Sequence, residues 1–422
     1  MNISDAVMAR RGAVDALFAR LRQDGASNLG VTRDPYGPGE QRAHATITAA
    51  ARALGLEVSQ DAARNTYMTW PGMDRSSPVV MTGSHLDSVP NGGNFDGAAG
   101  VVAGLTAVAA LQAAGVQPAR DITVMAIRAE ESVWFPVSYI GSRAALGALP
   151  DGALEARRKD TNRTLAEHMA ECGVDVAALR TGTRHLDPAR IAGFVEVHIE
   201  QAPSLVAAGL PVGICTGIPG NFRYPNAQII GQDDHVGLAR RFRKDAGLAG
   251  ADFHVAMDAL WREYDARGVP MACTLGKFHT DPARHGMTVV PGAFHYSLDV
   301  RAYDDGVVTE LERRVLELIP RIEAQRGVRF DLGARASAVV GQVDKNISAT
   351  LTRAAGKLGV GAMPLGSPAS HDAAAFAAAG VPMGMIFVRN ENGSHNPHEA
   401  METNDFLDAT RILAAWMAEA VV

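Results

Sequence analysis

The 422 residues exceed what one hydrophobic core usually serves, so two domains are expected. Forty basic against 46 acidic residues give a formal charge of −6. That balance supplies no basic excess to recruit nucleic acid or a membrane surface and leaves small polar substrates open. Three widely spaced cysteines, Cys172, Cys215 and Cys273, make neither a disulfide framework nor a cysteine-based zinc site, which points to a reducing, cytoplasmic location.

Met1 to about Arg22 alternates apolar and charged residues at helical spacing without an uninterrupted apolar stretch, which predicts an amphipathic surface helix and not a secretion signal. From about residue 40 to 210, apolar strand runs alternate with Ala-rich helical segments, the pattern of an α/β layer domain. Gly97 to Ala119 carries no charge and matches a membrane span in length, but its Gly and Ala content and two glutamines favour a buried helix on a sheet. Prolines 203 and 211 and the stretch Gly213 to Gly220 mark a hinge-like connection. The period then changes: strand-like Phe222 to Gly231, helical Phe242 to Arg267, strand-like Met271 to Phe278 and Ala293 to Arg301, helical Val307 to Gln325, strand-like Val328 to Leu332. This βαββαβ order predicts an inserted ferredoxin-like domain over 213–329. The α/β pattern resumes past Gly341 with a helix near Ile347 to Leu358, an Ala-rich helix after His371-Asp372, a strand to Val388 and a closing helix from about Asn404 to Ala420, so 1–212 and 330–422 form one domain.

Four apolar runs end at residues that bind divalent metals. Pro78 to Thr82 runs into His85, Ile122 to Ile127 into Glu130 and Glu131, Phe194 to Val197 into His198, and Met383 to Val388 points toward His395. Active sites of open α/β sheets lie outside the carboxyl ends of the strands. Asp87 stands two residues past His85, where its carboxylate can fix the imidazole, and Asp96 sits in a glycine-rich loop that lets it approach and bridge two ions. Glu130 and Glu131 together are costly to bury unless a cation or proton offsets them, so one is expected as ligand and one as base. A lone histidine at a strand end is ordinarily a satisfied polar residue, and adjacent acids are ordinarily a solvated loop. The joint occurrence of these ligands carries the expectation of a centre for zinc, manganese or cobalt.

The stretches Gly83-Ser84-His85-Leu86-Asp87-Ser88-Val89-Pro90, Gly92-Gly93-Asn94-Phe95-Asp96-Gly97, Glu130-Glu131 with Gly141-Ser142-Arg143-Ala144, His198-Ile199-Glu200-Gln201 and Ser394-His395 resemble the hydantoinase/carbamoylase amidases. These comprise N-carbamoyl-L-amino-acid hydrolases, β-ureidopropionases and allantoate amidohydrolases, within the dinuclear-metal aminoacylase and carboxypeptidase clan. The resemblance implies a metallopeptidase-like fold of two domains, the inserted one serving as lid and dimerisation domain. It implies two divalent ions per subunit, one held by His85, Asp96 and His198 and the other by Asp96, Glu131 and His395. Glu130 becomes the general base of an amidohydrolase acting on a small N-carbamoyl or amide substrate that carries a carboxylate.

On the substrate side the resemblance implies a homodimer in which His235 reaches the reacting carbonyl of the neighbouring subunit. His235, Gly237 and Asp245 match the family's run, but its Thr-Thr-Pro-Met portion is lost and the spacing is one residue shorter. Arg301 matches the arginine that grips the substrate carboxylate, Thr288 replaces an asparagine, and Gln201 and His371 match pocket positions, His371 either touching substrate or bracing the loop. Trp134 and Ser370 are further departures. Arg389 and Asn390 are also expected to face the pocket, and His398 to stand aside as a bystander. The rival readings are a dinuclear-metal aminoacylase or dipeptidase and a metal-free binding scaffold. Serine-nucleophile chemistry finds no G-x-S-x-G stretch after an apolar strand.

Overall fold

The computed structural model describes residues 1–421, and the chain divides into two compact units. One unit contains the residues up to 218 with those from 342 onward; the other is Pro219–Gly341. The chain lays down β1 (Glu57–Gln60), β2 (Thr66–Trp70), β3 (Val79–His85), β4 (Ile122–Ile127), β5 (Ile191–Ile199) and β6 (Val212–Cys215) in the larger unit. The smaller unit holds β7 (Gly220–Ile230), β8 (Asp234–His235), β9 (Met271–Thr274), β10 (Phe278–Thr280), β11 (Val289–Val290), β12 (Ala293–Ala302), β13 (Arg329–Asp331) and β14 (Ala336–Ala338). The return to the larger unit adds β15 (Ala362–Leu365), β16 (Met383–Val388), β17 (Asn390–Glu391) and β18 (Ala400–Met401). The breaks expected at 213 and 330 fall short of the observed ones. β6 pairs with β15 and β16 in the large sheet, and β14 pairs with β7 in the small one.

The large sheet is mixed, in the order β1-β2-β4-β3-β5-β16-β6-β15. Its centre, β4-β3-β5-β16, is parallel, so four carboxyl ends open on one edge. Val80, Val124, Val195 and Ile386 face one apolar cluster, while Met81, Met125, Phe194 and Met385 face another. Burial on both faces explains why these strands read as unbroken apolar runs. The uncharged stretch forms the helix Ala98–Ala113, whose residues 98–111 are all buried. A Cβ on Gly100 would lie 2.4 Å from the Val197 carbonyl oxygen, so glycine permits the helix to rest directly on β5. No helix of the described residues is long and apolar enough to cross a membrane.

The amino-terminal helix differs from expectation. It is two helices, Ile3–Met8 and Arg11–Asp24, and Val7, Val14, Phe18 and Leu21 enter the main core. Its apolar stripe is a packing face, and the break at Ala9-Arg10 lets each piece meet the core separately.

In the smaller unit the sheet order is β10-β12-β7-β13, with β9 also on β12 and β14 on β7. Alternate residues of β12, from Phe294 to Ala302, are buried in a cluster with the helices Ala246–Ala266 and Asp305–Arg326. Aspartates 245 and 304 cap these helices by accepting backbone N–H groups. The single strand expected over Met271 to Phe278 is interrupted at Leu275–Lys277, and both pieces pair with β12.

Candidate metal centre

The carboxyl ends of β3, β4, β5 and β16 gather the ligand-type residues. Ligand atoms of His85, Asp96 and His198 lie within 4.8 Å of one another, as do those of Asp96, Glu131 and His395. Asp96 is common to both sets. Its Oδ1 stands 3.2 Å from His198 Nε2 and 3.5 Å from His85 Nε2, and its Oδ2 stands 3.4 Å from His395 Nε2. His395 Nε2 is also 3.1 Å from Glu131 Oε1.

The protonation pattern tests whether a cation fits. His85 Nδ1 lies 3.1 Å from the Asp87 carbonyl oxygen, and His198 Nδ1 lies 2.9 Å from that of Ile199. Carbonyl oxygens only accept, so both Nδ1 atoms carry hydrogen and, in the neutral rings, both Nε2 atoms present lone pairs. Those lone pairs meet at 3.5 Å, beside an Asp96 Oδ1 that is buried without a hydrogen-bond partner. In the neutral rings electron pairs converge there, and either added protons or a divalent cation satisfies them.

The electrostatics agree. Burial opposes charge on Asp96, but His198, His395 and His85 overcome it and hold the carboxyl well below its usual range. Burial depresses His85, yet Asp87, Asp96 and Glu130 raise it well above an ordinary imidazole. The half-exposed His395 is pushed up to about 11 by Asp96 and Glu131. The pocket demands positive charge. Glu130 differs from Asp96: burial, reinforced by Glu131, Asp372 and Asp87 against His85, raises its carboxyl well above normal, and burial raises Glu131 as well. A carboxylate with raised proton affinity suits a general base.

Asp87 meets His85 Nδ1 through its backbone carbonyl at 3.1 Å, with the carboxylate Oδ1 expected there farther off at 3.4 Å. Its two carboxylate oxygens accept the backbone N–H groups of Glu130 and Glu131, each at 3.0 Å. Gly97 is required in the same place, because a Cβ there would lie 2.5 Å from the His85 ring. Ala129, Gln201 and His395 hold left-handed backbone conformations, a strain of about 1–3 kcal/mol each that clusters at functional sites.

Several positioning groups escaped the sequence. Glu40 accepts the Ala129 N–H at 2.9 Å and pairs with buried Arg128 at 2.7 Å, bracing the turn before Glu130. Removing either partner would strand a buried charge, a defect of about 3–5 kcal/mol. Glu399 accepts the N–H groups of Phe95 and Asp96 and faces Ser394 Oγ at 2.8 Å, tying the Asp96 loop to the His395 loop. Fully buried Arg33 donates to the carbonyls of Leu86 and Asn94 and faces Asp96, Asp87 and Glu399 electrostatically. These partners are tens to hundreds of residues apart, so only a charged residue beside an apolar run, such as Arg128 after Ile127, offered a signal.

The expected substrate contacts are distributed differently. Gln201 donates to Asp96 Oδ2 at 2.8 Å, so its amide meets the shared carboxylate directly. His371 is fully buried 4.2 Å ring to ring from His198, and burial together with His198 holds it well below an ordinary imidazole. Glu196, His198 and His371 form a third group of ligand atoms, but Ser84 and the Ala373 N–H already engage the Glu196 carboxylate. Trp134 donates to the Ser88 carbonyl and stacks under Arg158, and Ser370 hydrogen-bonds Tyr139. Asn390 accepts the Gln201 N–H and donates to Gly393, whereas Arg389 pairs with Asp405 of the closing helix. His398 stays outside both ligand sets.

In the smaller unit His235 is exposed on β8 and pairs in register with Val289, while the Val236 N–H bonds the Thr288 carbonyl. His235 and Thr288 are therefore neighbours. Arg301 lies near the far end of β12, its guanidinium forked onto Asp299 at 2.9 and 3.2 Å.

Residues 81–419 match the model of peptidase family M20/M25/M40, and the chain belongs to that family. It is 35% identical to an N-carbamoyl-L-amino acid amidohydrolase of Geobacillus stearothermophilus, over 91% of this chain and 92% of that one. It is 29% identical to allantoate deiminase 2 of Glycine max, over 93% and 88%. A solved hydantoinase/carbamoylase family amidase from Burkholderia ambifaria aligns with a TM-score of 0.83 at 27% identity, over 98% of each chain. Within the broader family, the chain is a member of the hydantoinase/carbamoylase amidases.

Proposed function

We propose that the protein is a metal-dependent amidohydrolase that cleaves a C–N bond of a small N-carbamoyl or amide substrate carrying a carboxylate. The observation that carries this reading is the pair of ligand sets sharing Asp96, with Glu130 beside them. His85, Asp96 and His198 would hold one divalent ion and Asp96, Glu131 and His395 the other, with zinc, manganese and cobalt all suited to these donors. Ions bound there would polarise the scissile carbonyl and make a water acidic enough to attack near neutral pH. Glu130 takes the proton of the attacking water and returns it to the leaving nitrogen. Gln201 and Ser394 hold Oδ2 of Asp96 in place by hydrogen bonds of 2.8 and 2.5 Å. The names of the relatives favour ureido substrates, and the free Cys172, Cys215 and Cys273 support a cytoplasmic location.

Ammonia and carboxylic acid released from N-carbamoyl and N-acyl amino acids, with allantoate alongside, test this reading. Ammonia release is expected. Faster release of carboxylic acid from the N-acyl compounds would transfer the assignment to an aminoacylase. Under one ion per chain in protein purified without chelator, with no hydrolysis restored by added zinc, manganese or cobalt, would leave a metal-free binding scaffold.

The strand and helix order of the smaller unit supports a ferredoxin-like lid and dimerisation domain. His235 would stabilise the oxyanion, and Arg301 would exchange Asp299 for a substrate carboxylate. Arg301 is eight residues along β12 from Ala293, the end nearer His235, a distance of about 27 Å at strand spacing. One small substrate does not span that length, which supports an active site drawing His235 from one subunit and Arg301 from the other. Mixed subunits of Glu130→Gln and His235→Ala, each inactive alone, are then expected to regain about a quarter of wild-type activity after random reassociation. No recovery, with mixed dimers demonstrated by mass, would place His235 in its own chain's site.

A further inference from the structure

We propose that the larger unit carries a second ligand site, a small-oxyanion pocket built from Gln41, His44, Arg52, Gln60, Arg64 and Arg128, away from the metal ligands. The cavity measures about 270 Å³, and no acidic residue lines it among the described residues. It lies between the helix Pro38–Ala53 and the turn joining β1 to β2, with Arg128 as its inner wall.

Three groups in it are poised for an acceptor. Buried Arg128 donates Nε to the Arg64 carbonyl, Nη1 to Glu40 and Nη2 to Gln41, each at 2.7 Å. A guanidinium has five N–H groups, so one remains on each terminal nitrogen. Arg64 Nε is buried and has no hydrogen-bond partner, although burying such a donor unpaired is costly. His44 is 3% exposed, and its Nε2 is likewise buried without a partner. The network assigns its hydrogen. The Gln60 amide donates to Thr66 Oγ1 at 3.2 Å, and that hydroxyl lies 3.0 Å from His44 Nδ1; the buried hydroxyl's own proton needs an acceptor, and of these two partners only Nδ1 is one. Nε2 then carries the remaining ring N–H as an unused donor.

Arg52 and Arg64 add two positive charges, and Glu40, the acid paired with Arg128, is not among the lining residues. Unsatisfied donors and excess positive charge in a cavity of this size select a small anion with several acceptor oxygens, a phosphate or a short carboxylate. A neutral ligand would leave the charge uncompensated.

Inorganic phosphate and acetate are titrated calorimetrically into the metal-loaded enzyme and into two variants, Arg52→Gln/Arg64→Gln and His44→Gln. Oxyanions also approach metal ions, so the comparison is between variants, none of which alters a ligand of the metal centre. Wild type is expected to show a binding event that both variants weaken by about tenfold or more, the loss of one charge-assisted hydrogen bond. Selenate diffused into crystals is expected to give an anomalous peak within hydrogen-bond reach of Arg64 and His44. The stronger of the phosphate and acetate responses identifies the source of the oxyanion. Identical titrations in wild type and both variants, each shown folded by circular dichroism, or selenate at the metal centre alone, would overturn the assignment. If the double variant unfolds, His44→Gln decides.

Discussion

Glu130→Gln is expected to keep both ions and lose turnover by about 10²–10⁴-fold, the usual contribution of a general base. The amide preserves the shape of the side chain but cannot take up a proton, and the Glu130 N–H remains bonded to Asp87 because that contact is made by the backbone. Metal content measured by mass spectrometry, together with turnover of the substrate established in the ammonia assay, separates the two effects. A variant that loses its ions would make Glu130 a ligand. A variant that retains full turnover would remove it from proton transfer altogether.

Asp96→Ala should have the broadest consequence of any single change. The substitution deletes the one side chain common to both ligand sets and leaves the Gln201 amide and the Ser394 hydroxyl without their shared acceptor. Bound metal is expected to fall from two ions toward none and activity to background. Thermal stability reports this independently. A ligand at about 1,000 times its dissociation constant stabilises the native state by about 4 kcal/mol, so zinc or manganese should raise the wild-type melting temperature and leave that of Asp96→Ala unmoved. Equal shifts in the two proteins would mean that the ions bind elsewhere.

Most of the candidate ligand positions were legible because they are local: an apolar strand run ends, and a donor residue follows within a few positions at the edge where parallel strands open, whereas Asp96 and His395 lie in loops farther on. His85 closes β3, His198 sits one residue from the end of β5, and Glu130 and Glu131 follow β4 by three and four residues. Supports that depend on distant pairing were not legible. Glu40 meets Arg128 across 88 residues, and Glu399 meets the Phe95 and Asp96 amides across more than 300, with no periodicity to announce either. The boundary at Ile218 was missed because β6 is a short strand flanked by proline and glycine, and such a stretch reads as a connection. Gln201 matched a pocket position, but its left-handed backbone, held by Asn390, turns the amide onto Asp96.

Asp87 ties three functions to a single footing. Its Oδ1 faces the ring of His85 and its two carboxylate oxygens suspend the backbone of Glu130 and Glu131, so one residue of each candidate ligand set and the proposed base are gauged against the same side chain. On the proposed reading, departures from the family pattern at Thr288, Trp134 and Ser370 would then alter which molecule is admitted and leave the spacing of the candidate ligands as it is.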